Sequence, residues 1–474
     1  MDDNTSFDRR TFMRGALAVA ALAPIGGALA SCATGGSSSA PTSTGGGTPA
    51  GNVSAKNPFG MAKTGTIDAV IFNGGYGIDY VNYAAKVMQK TFPDVTAKIS
   101  PSTKIAQELQ PRFVSGNPPD LVDDSGANKI GYNAILGQIE DLQEIIEAKN
   151  LEGTTIQDTL YPGVLDVGKF GDKLAAINYA MTVYGIWYSG SLFDQHGWKP
   201  PKTWDEAMDL GKQAKKEDKY LFLWGKEAAT YYQKLTVASA IKQGGDEVRL
   251  ALGNLKPKCW SHPAVQGVFK ALEAVIKAGY MKPGGAGTQF TRAQAQWSNA
   301  QQALLYPSGS WIENEMKDQT KKGFKMMGSP AMTLDTDAAM PATALHREAA
   351  EAYIVPSQGK NPAGGKELLR TMLSKDAASN FAKTRLASTI VQGTVPPDGY
   401  GSTALQSQMS MLDAAGKDVF GFQFSDIYGM GTDQLVLWNS FLGGNSSVKE
   451  LTSGLQQITD KVANDDSIEK HKVT

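Results

Sequence analysis

An alternation of short apolar runs and helical stripes in residues 69–122 constrains the fold more than any other feature of this chain. Ala69-Val70-Ile71-Phe72 is closed by Asn73-Gly74-Gly75, the pattern of a buried strand meeting a tight turn. Asp79 stands where a helix begins, and Tyr80, Ala84, Val87 and Met88 follow at helical spacing. Residues 95–99 read as a second strand. Ile105, Leu109 and Phe113 mark a second helix, broken by Gly116-Asn117-Pro118-Pro119, and Leu121-Val122 is a third strand. Strand, helix, strand, helix, strand in this order predicts a parallel sheet with helices on both faces.

A second α/β region follows. Residues 175–188 are rich in aromatic and β-branched side chains. Thr203-Trp204-Asp205-Glu206 is a capping box that opens a helix, and residues 221–223 read as a strand. Val265, Val268, Phe269, Leu272 and Ile276 form one helical stripe, and Leu451, Leu455, Ile458 and Val462 another. This content fits two α/β lobes better than one large domain.

The first residues are of another kind. Leu29-Ala30-Ser31-Cys32 resembles a bacterial lipobox, in which the cysteine takes a lipid and becomes the new N-terminus. Asp8-Arg9-Arg10-Thr11-Phe12-Met13-Arg14 resembles a twin-arginine export signal, with Asp8 and Met13 departing from the usual pattern, and Sec export is the alternative route. The apolar stretch 15–30 is shorter than the ~20 residues that span a bilayer. Residues 33–55 are Gly, Ser, Thr, Ala and Pro for the most part and carry too little apolar surface to fold. As a coil they reach roughly 25 Å. The expected layout is an export signal over 1–31 and a flexible tether over 32–56. The folded body would then be held at the extracytoplasmic face of the cell membrane by lipid on Cys32.

Composition excludes several roles. A net charge of −1 argues against nucleic acid, whose phosphates demand a lysine and arginine excess. With two cysteines, one of them the lipid site, Cys259 is left as a small buried hydrophobe. Four scattered histidines give no metal motif, and there is no nucleophile elbow, phosphate loop or dinucleotide fingerprint. No catalytic residue, metal or cofactor is expected. Asp123-Asp124 is the obvious carboxylate pair, but neighbours on a strand point to opposite faces, so each is either a solvated strand end or a ligand contact.

Aromatic residues carry the stronger signal. A sugar ring stacks its C–H face on an aromatic plane, while its hydroxyls require polar partners around the rim. Trp311 follows Ser308-Gly309-Ser310 and precedes Ile312-Glu313-Asn314-Glu315, which puts an indole at a helix start beside small residues. Tyr76, Tyr179, Trp224, Tyr231 and Tyr232 are further candidates. Trp187, Trp198, Trp204 and Trp260 read as packing.

Several stretches resemble a known family. The run Ile186-Trp187-Tyr188-Ser189-Gly190-Ser191-Leu192-Phe193-Asp194-Gln195-His196-Gly197-Trp198, with Pro201-Lys202-Thr203-Trp204-Asp205-Glu206, is similar to the signature of carbohydrate solute-binding proteins of ABC importers. Ser115-Gly116-Asn117-Pro118-Pro119-Asp120, Ser308-Gly309-Ser310-Trp311 and Ala363-Gly364-Gly365-Lys366-Glu367-Leu368-Leu369 match further family segments. Val70-Ile71-Phe72-Asn73-Gly74-Gly75-Tyr76-Gly77 and the segments around Arg112 and Glu313 resemble the N-acetylglucosamine- and diacetylchitobiose-binding lipoproteins within it.

The resemblance implies an α/β, two-lobe periplasmic-binding-protein-like fold, the Venus flytrap, with hinge crossings between the lobes. One lobe would comprise 57–178 and 350–410, the other 179–349 and 411–474. Ligand-binding residues would be Asn73, Tyr76 and Asp123 or Asp124 on one wall and Tyr179, Trp224 and Trp311 on the other. The implied role is a monomeric binding protein, not an enzyme, that delivers an amino sugar to membrane permease subunits served by a separate ATPase. Another oligosaccharide as ligand, or a surface glycosidase, are the alternatives.

Overall fold

The computed structural model describes residues 51–126 and 129–473. Cys32, the arginine pair and the export signal lie outside the described residues. Gly51 already belongs to the folded body, its N–H donating to the Gly60 carbonyl at 2.7 Å.

The expected alternation is present. Strands β1 (Thr64–Phe72), β2 (Asp94–Ser102) and β3 (Leu121–Asp123) are parallel, with β1 in the middle. Along β1, side chains alternate faces. Ile67, Ala69 and Ile71 join the core cluster that includes Tyr80, Val81 and Ala84 of the helix Asp79–Met88. Val70 joins Ile105, Leu109 and Phe113 of the helix Ile105–Val114 on the other side. One strand thus supplies two cores, and that fixes a helix on each face.

The hairpin of β4 (Lys169–Phe170) and β5 (Lys173–Leu174) leads into β6 (Ile177–Ser189), 13 residues long. β7 (Tyr220–Phe222), β8 (Ala303–Gly309), β9 (Met326–Ser329), β10 (Leu345–Ile354) and β11 (Val419–Phe420) complete the strands. The main sheet runs β2-β1-β3-β10-β6-β8-β7, with β11 on β10 and β9 on β6. The two long strands β6 and β10 are antiparallel, registered from His346 opposite Tyr184 to Tyr353 opposite Ile177. β10 also pairs β3, and β6 pairs β8, so this couple joins the first parallel strands to the rest.

A separate core surrounds Trp204, Trp260, Phe269, Trp438 and Leu455. Trp187, Trp204 and Trp260 are all buried, as their sequence setting predicts, and so is Cys259, whose thiol burial pushes up to about 11. The capping box at Thr203 is only half formed: Thr203 Oγ1 accepts from the Glu206 N–H, but the Glu206 carboxylate accepts from Lys202 rather than from Thr203.

Asp120 explains why two motif segments far apart in sequence belong together. Its buried carboxylate accepts from the Asp68 N–H at 2.8 Å and from the Asn361 N–H at 2.6 Å. A Cβ on Gly365 would lie 2.0 Å from the Asp120 carbonyl, so the helix Pro362–Met372 needs that glycine to seat on β3. Asp120→Ala strands two buried donors and is expected to cost about 3 kcal/mol of stability. Asp120→Asn, which keeps one acceptor, is expected to cost less. Urea denaturation midpoints of the two variants test the order.

Candidate functional site

Trp311 sits at the start of the helix Ile312–Met316, just beyond β8. Its placement depends on Gly309, where a Cβ would fall 2.0 Å from the indole ring. The indole is half-buried and is met edge-on by Tyr184 at 5.5 Å and by Tyr231 at 6.0 Å. Ser310 Oγ accepts from the Val183 N–H and ties the turn to β6. The Asn314 amide donates to the Gly75 carbonyl, which brings the Asn73–Tyr76 loop against the Trp311 helix.

A charged cluster lies behind the aromatic group. The Tyr184 ring stacks on His346 at 4.5 Å, and His346 stacks on Phe422 at 4.2 Å. His346 Nε2–H donates to Glu348 at 2.8 Å, Lys234 reaches Glu348 at 3.4 Å and Asp426 at 3.0 Å, and its ammonium lies 4.9 Å from the Tyr184 ring centroid. Burial alone would push the Glu348 carboxyl up, but Lys234 and His346 outweigh it and hold it at about 2. Burial lowers His346 below its ordinary value, and toward a carboxylate its Nε2 can only donate.

A second buried group gathers where β1 and β3 end against β10. Asp123 Oδ1 accepts from Ser125 at 2.5 Å, its other oxygen has no hydrogen-bond donor among the described residues, and the Glu351 carboxyl is a close neighbour. Two carboxylates can only accept, so contact between them requires a proton. Burial raises both acids, Glu351 to about 7. Glu351 also carries a left-handed backbone, φ 57°. The Tyr76 hydroxyl and Thr182 Oγ1 lie close enough to perturb each other, yet neither makes a well-formed hydrogen bond with a described residue. Asp124 turns away from its neighbour: Oδ1 accepts from the Ile130 N–H at 2.7 Å, and burial pushes the acid up to about 6.

The seven predicted ligand residues therefore fall into groups. Asn73 is exposed on the loop that Asn314 grips, with its N–H donating to the Ser102 carbonyl. Tyr76 and Asp123 share the carboxyl group, and Asp124 lies beside it. Tyr179 is not brought to Trp311. It is buried, stacks on Tyr80 at 5.7 Å, and donates to the Met372 carbonyl. Trp224 is buried against Gly285, bonds Asn439, and lines a cavity that shares no residue with the surroundings of Trp311. Tyr232 is likewise core, its hydroxyl on the Leu223 carbonyl.

Tyr184, Lys234, His346, Glu348 and Glu351 were missed. Strand period was the available signal for Tyr184: it is five residues from Tyr179 on β6, so the two face opposite ways. Among the described residues, no group of acids, histidines and cysteines has the arrangement to hold a metal ion.

The bacterial extracellular solute-binding protein model matches residues 63–379. The chain belongs to that family. It is 58% identical over 469 residues to the diacetylchitobiose binding protein NgcE of Streptomyces coelicolor, with 99% of each chain covered. Among solved structures, the apo-form of RafE from Streptococcus pneumoniae superposes with a TM-score of 0.67 at 18% identity, covering 84% of this chain and 98% of that one. A chitin oligosaccharide binding protein gives 0.66 at 15% identity, covering 84% and 98%. The fold is thus the periplasmic-binding-protein-like α/β fold. The family works outside the cytoplasm, and no described helix is long and apolar enough to cross a membrane.

The carboxyl contact has a pH signature. An acid whose pKa rises on folding holds its proton more tightly in the native state, so its contribution favours folding at low pH and is lost as pH rises. For Glu351 the window runs from its ordinary 4.5 up to about 7. Glu351→Gln keeps a donor toward Asp123 without that titration. Denaturation midpoints measured from about pH 5 to about pH 8 are expected to fall more steeply for the unmodified protein than for Glu351→Gln. Parallel curves would contradict the shared proton.

Proposed function

We propose that this chain is the sugar-capturing component of an ABC importer, taking N-acetylglucosamine or its β-linked dimer diacetylchitobiose and handing it to membrane permease subunits. The observation that carries the proposal is the half-buried Trp311 indole, bordered by Tyr184 and Tyr231 and backed by charged and hydroxyl groups. An aromatic plane with a polar rim is what a pyranose ring requires. The near-complete match to a diacetylchitobiose binding protein favours the acetylated amino sugar over a plain hexoside.

In this proposal β6 and β10 are the crossings between two lobes, 57–178 with 350–410 and 179–349 with 411–474. The lobes hinge on the ligand. The chain acts as a monomer and performs no chemistry. A glycosidase needs two carboxylates ~5–10 Å apart with a sugar between them. Asp123 and Glu351 instead lie close enough that each shifts the other's titration, and Asp123 is buried rather than set in an open cleft. ATP hydrolysis belongs to another subunit.

Tryptophan fluorescence of the purified protein, titrated with diacetylchitobiose, tests the assignment. Trp311→Ala is expected to weaken binding roughly thirtyfold, since loss of a central aromatic anchor costs ~2 kcal/mol or more. Unchanged affinity with a lowered denaturation midpoint would make Trp311 a packing residue and remove the main support for the proposal.

The anchor is proposed on the lipobox alone. Export, by the twin-arginine route, is followed by lipid attachment at Cys32, which holds the protein on the extracytoplasmic face of the membrane through the 33–50 tether. Cys32→Ser is expected to move the folded protein from the membrane fraction to the soluble one. Retention after a carbonate wash would point to a spanning segment instead.

A further inference from the structure

A path of ring contacts joins the region of β1 to β3 to the rest of the molecule without passing through the main sheet. Phe170, on the β4–β5 hairpin, packs against the core cluster of Val70, Ile105 and Phe113 and meets Tyr132 at 4.6 Å. The His471 ring stands edge-on to Phe170 at 5.0 Å. It also stacks on Tyr428 at 6.3 Å, and Tyr428 packs against the core of Trp260 and Trp438. Residues 467–473, which bring His471 there, thus bridge two separate cores.

The two ends of this bridge are held unequally. On the Tyr428 side, the His471 N–H donates to the Tyr428 hydroxyl at 2.9 Å. The Val473 N–H donates to Asn254 Oδ1 at 2.9 Å, and Asn254 Nδ2 donates back to the Val473 carbonyl at 2.9 Å. Asn254 ends the helix Asp246–Gly253, and Gly253 leaves room for the approach: a Cβ there would fall 3.0 Å from Val473 Cγ2. Ile468 packs against the same core. On the hairpin side the segment meets Phe170 with a ring edge and makes no hydrogen bond to the hairpin among the described residues. A cavity of about 690 Å³ runs alongside, with Val164, Asp166 and Lys169 on one side, Ile241, Arg249 and Ile427 on the other, and His471 in its wall. The Phe170–His471 contact therefore stands at a gap, where little other packing opposes the parting of the two sides.

We infer that residues 467–473 form a strap that stays fixed to the lobe of Trp260 and Trp438 and closes on the other lobe through His471 and Phe170, biasing the hinge toward its closed state. The inference rests on the two-lobe reading above, with Phe170 in one lobe and the strap in the other. The four-point anchor and the single ring edge decide where the bridge opens: it parts at Phe170 and travels with Tyr428 and Asn254. A contact made only when the lobes meet raises the closed population. A ligand gripped by both lobes then binds in proportion to the fraction already closed. Phe170 and His471 stand outside the aromatic group at Trp311, so the strap sets affinity without touching the residues proposed to hold the sugar.

Small-angle X-ray scattering of the purified protein without sugar reads the hinge directly. Phe170→Ala and His471→Ala are each expected to give a larger radius of gyration than the unmodified protein, and His471→Phe, which keeps a ring against Phe170, is expected to restore it. Calorimetric titration with diacetylchitobiose is expected to show about three- to tenfold weaker binding for either alanine variant, the range set by one aromatic pair. The double variant is expected to be no weaker than the singles, since both remove the same contact. Should Phe170→Ala lower the thermal midpoint, the two His471 variants decide the matter. Equal radii across the set would overturn the strap and leave the sugar-binding proposal to its own titration. Additive weakening in the double variant would also overturn it. Larger radii in a protein that binds no sugar would uphold the strap and remove the sugar assignment.

Discussion

The pairing of β6 with β10 is the interaction on which the rest of this molecule depends. Its register, from His346 opposite Tyr184 to Tyr353 opposite Ile177, joins the parallel strands β1 to β3 to β8, β7 and β9 in one sheet. A shift of one residue would turn every side chain on one strand to the other face. Tyr184 would leave His346, and Tyr353 would leave Tyr80, whose hydroxyl lies 2.5 Å from its own. The same register aligns the aromatic group at Trp311 with the charged cluster behind it.

That strand pair carries two buried ionic groups that solve the same problem differently. Around Glu348, opposite charges meet: Lys234 supplies the cation, and His346 donates a hydrogen bond. The acid therefore stays ionised despite burial. Around Glu351 the neighbour is another acid, Asp123. The burial cost is met by keeping a proton. The first arrangement is insensitive to pH over the physiological range, and the second is not.

Much of this was legible in the sequence, and the boundary has a physical basis. The alternation in 69–122 specified a doubly covered parallel sheet because strand and helix periods are local properties, and β1 to β3 appear where the pattern puts them. The position of Trp311 was legible because a large aromatic beside Ser308, Gly309 and Ser310 marks a close approach at a helix start, and Gly309 is required by the indole itself. Tyr179 and Trp224 illustrate the limit. An aromatic residue near a strand end looks the same in sequence whether it faces a core or a ligand, and only the strand's facing decides. His346, Glu348 and Lys234 are 112 or more residues apart across the cluster or two apart on β10. No window along the chain shows that they meet, since their contact is made by β6–β10 register and by a helix from another part of the sheet.

Glu351 shows what the framework can hold in place. A non-glycine residue with a left-handed backbone costs about 1–3 kcal/mol, and such strain persists only where surrounding structure over-determines it. Here the same residue, half-buried, also sets an acid beside another acid. Neither feature is explained by stability, since an alanine or a glycine in β10 would relieve one or both. Its neighbours over-determine it: Ala350 and Ala352 are held by register to Ala180 and Asn178, and the Ala352 carbonyl accepts from the Asp124 N–H. Strand pairing therefore supplies the energy that holds an unfavourable residue beside Tyr76, Asp123 and Thr182. Each buried polar group left without a partner in this cluster costs about 1–3 kcal/mol, and strand pairing has to offset that cost as well as the backbone strain.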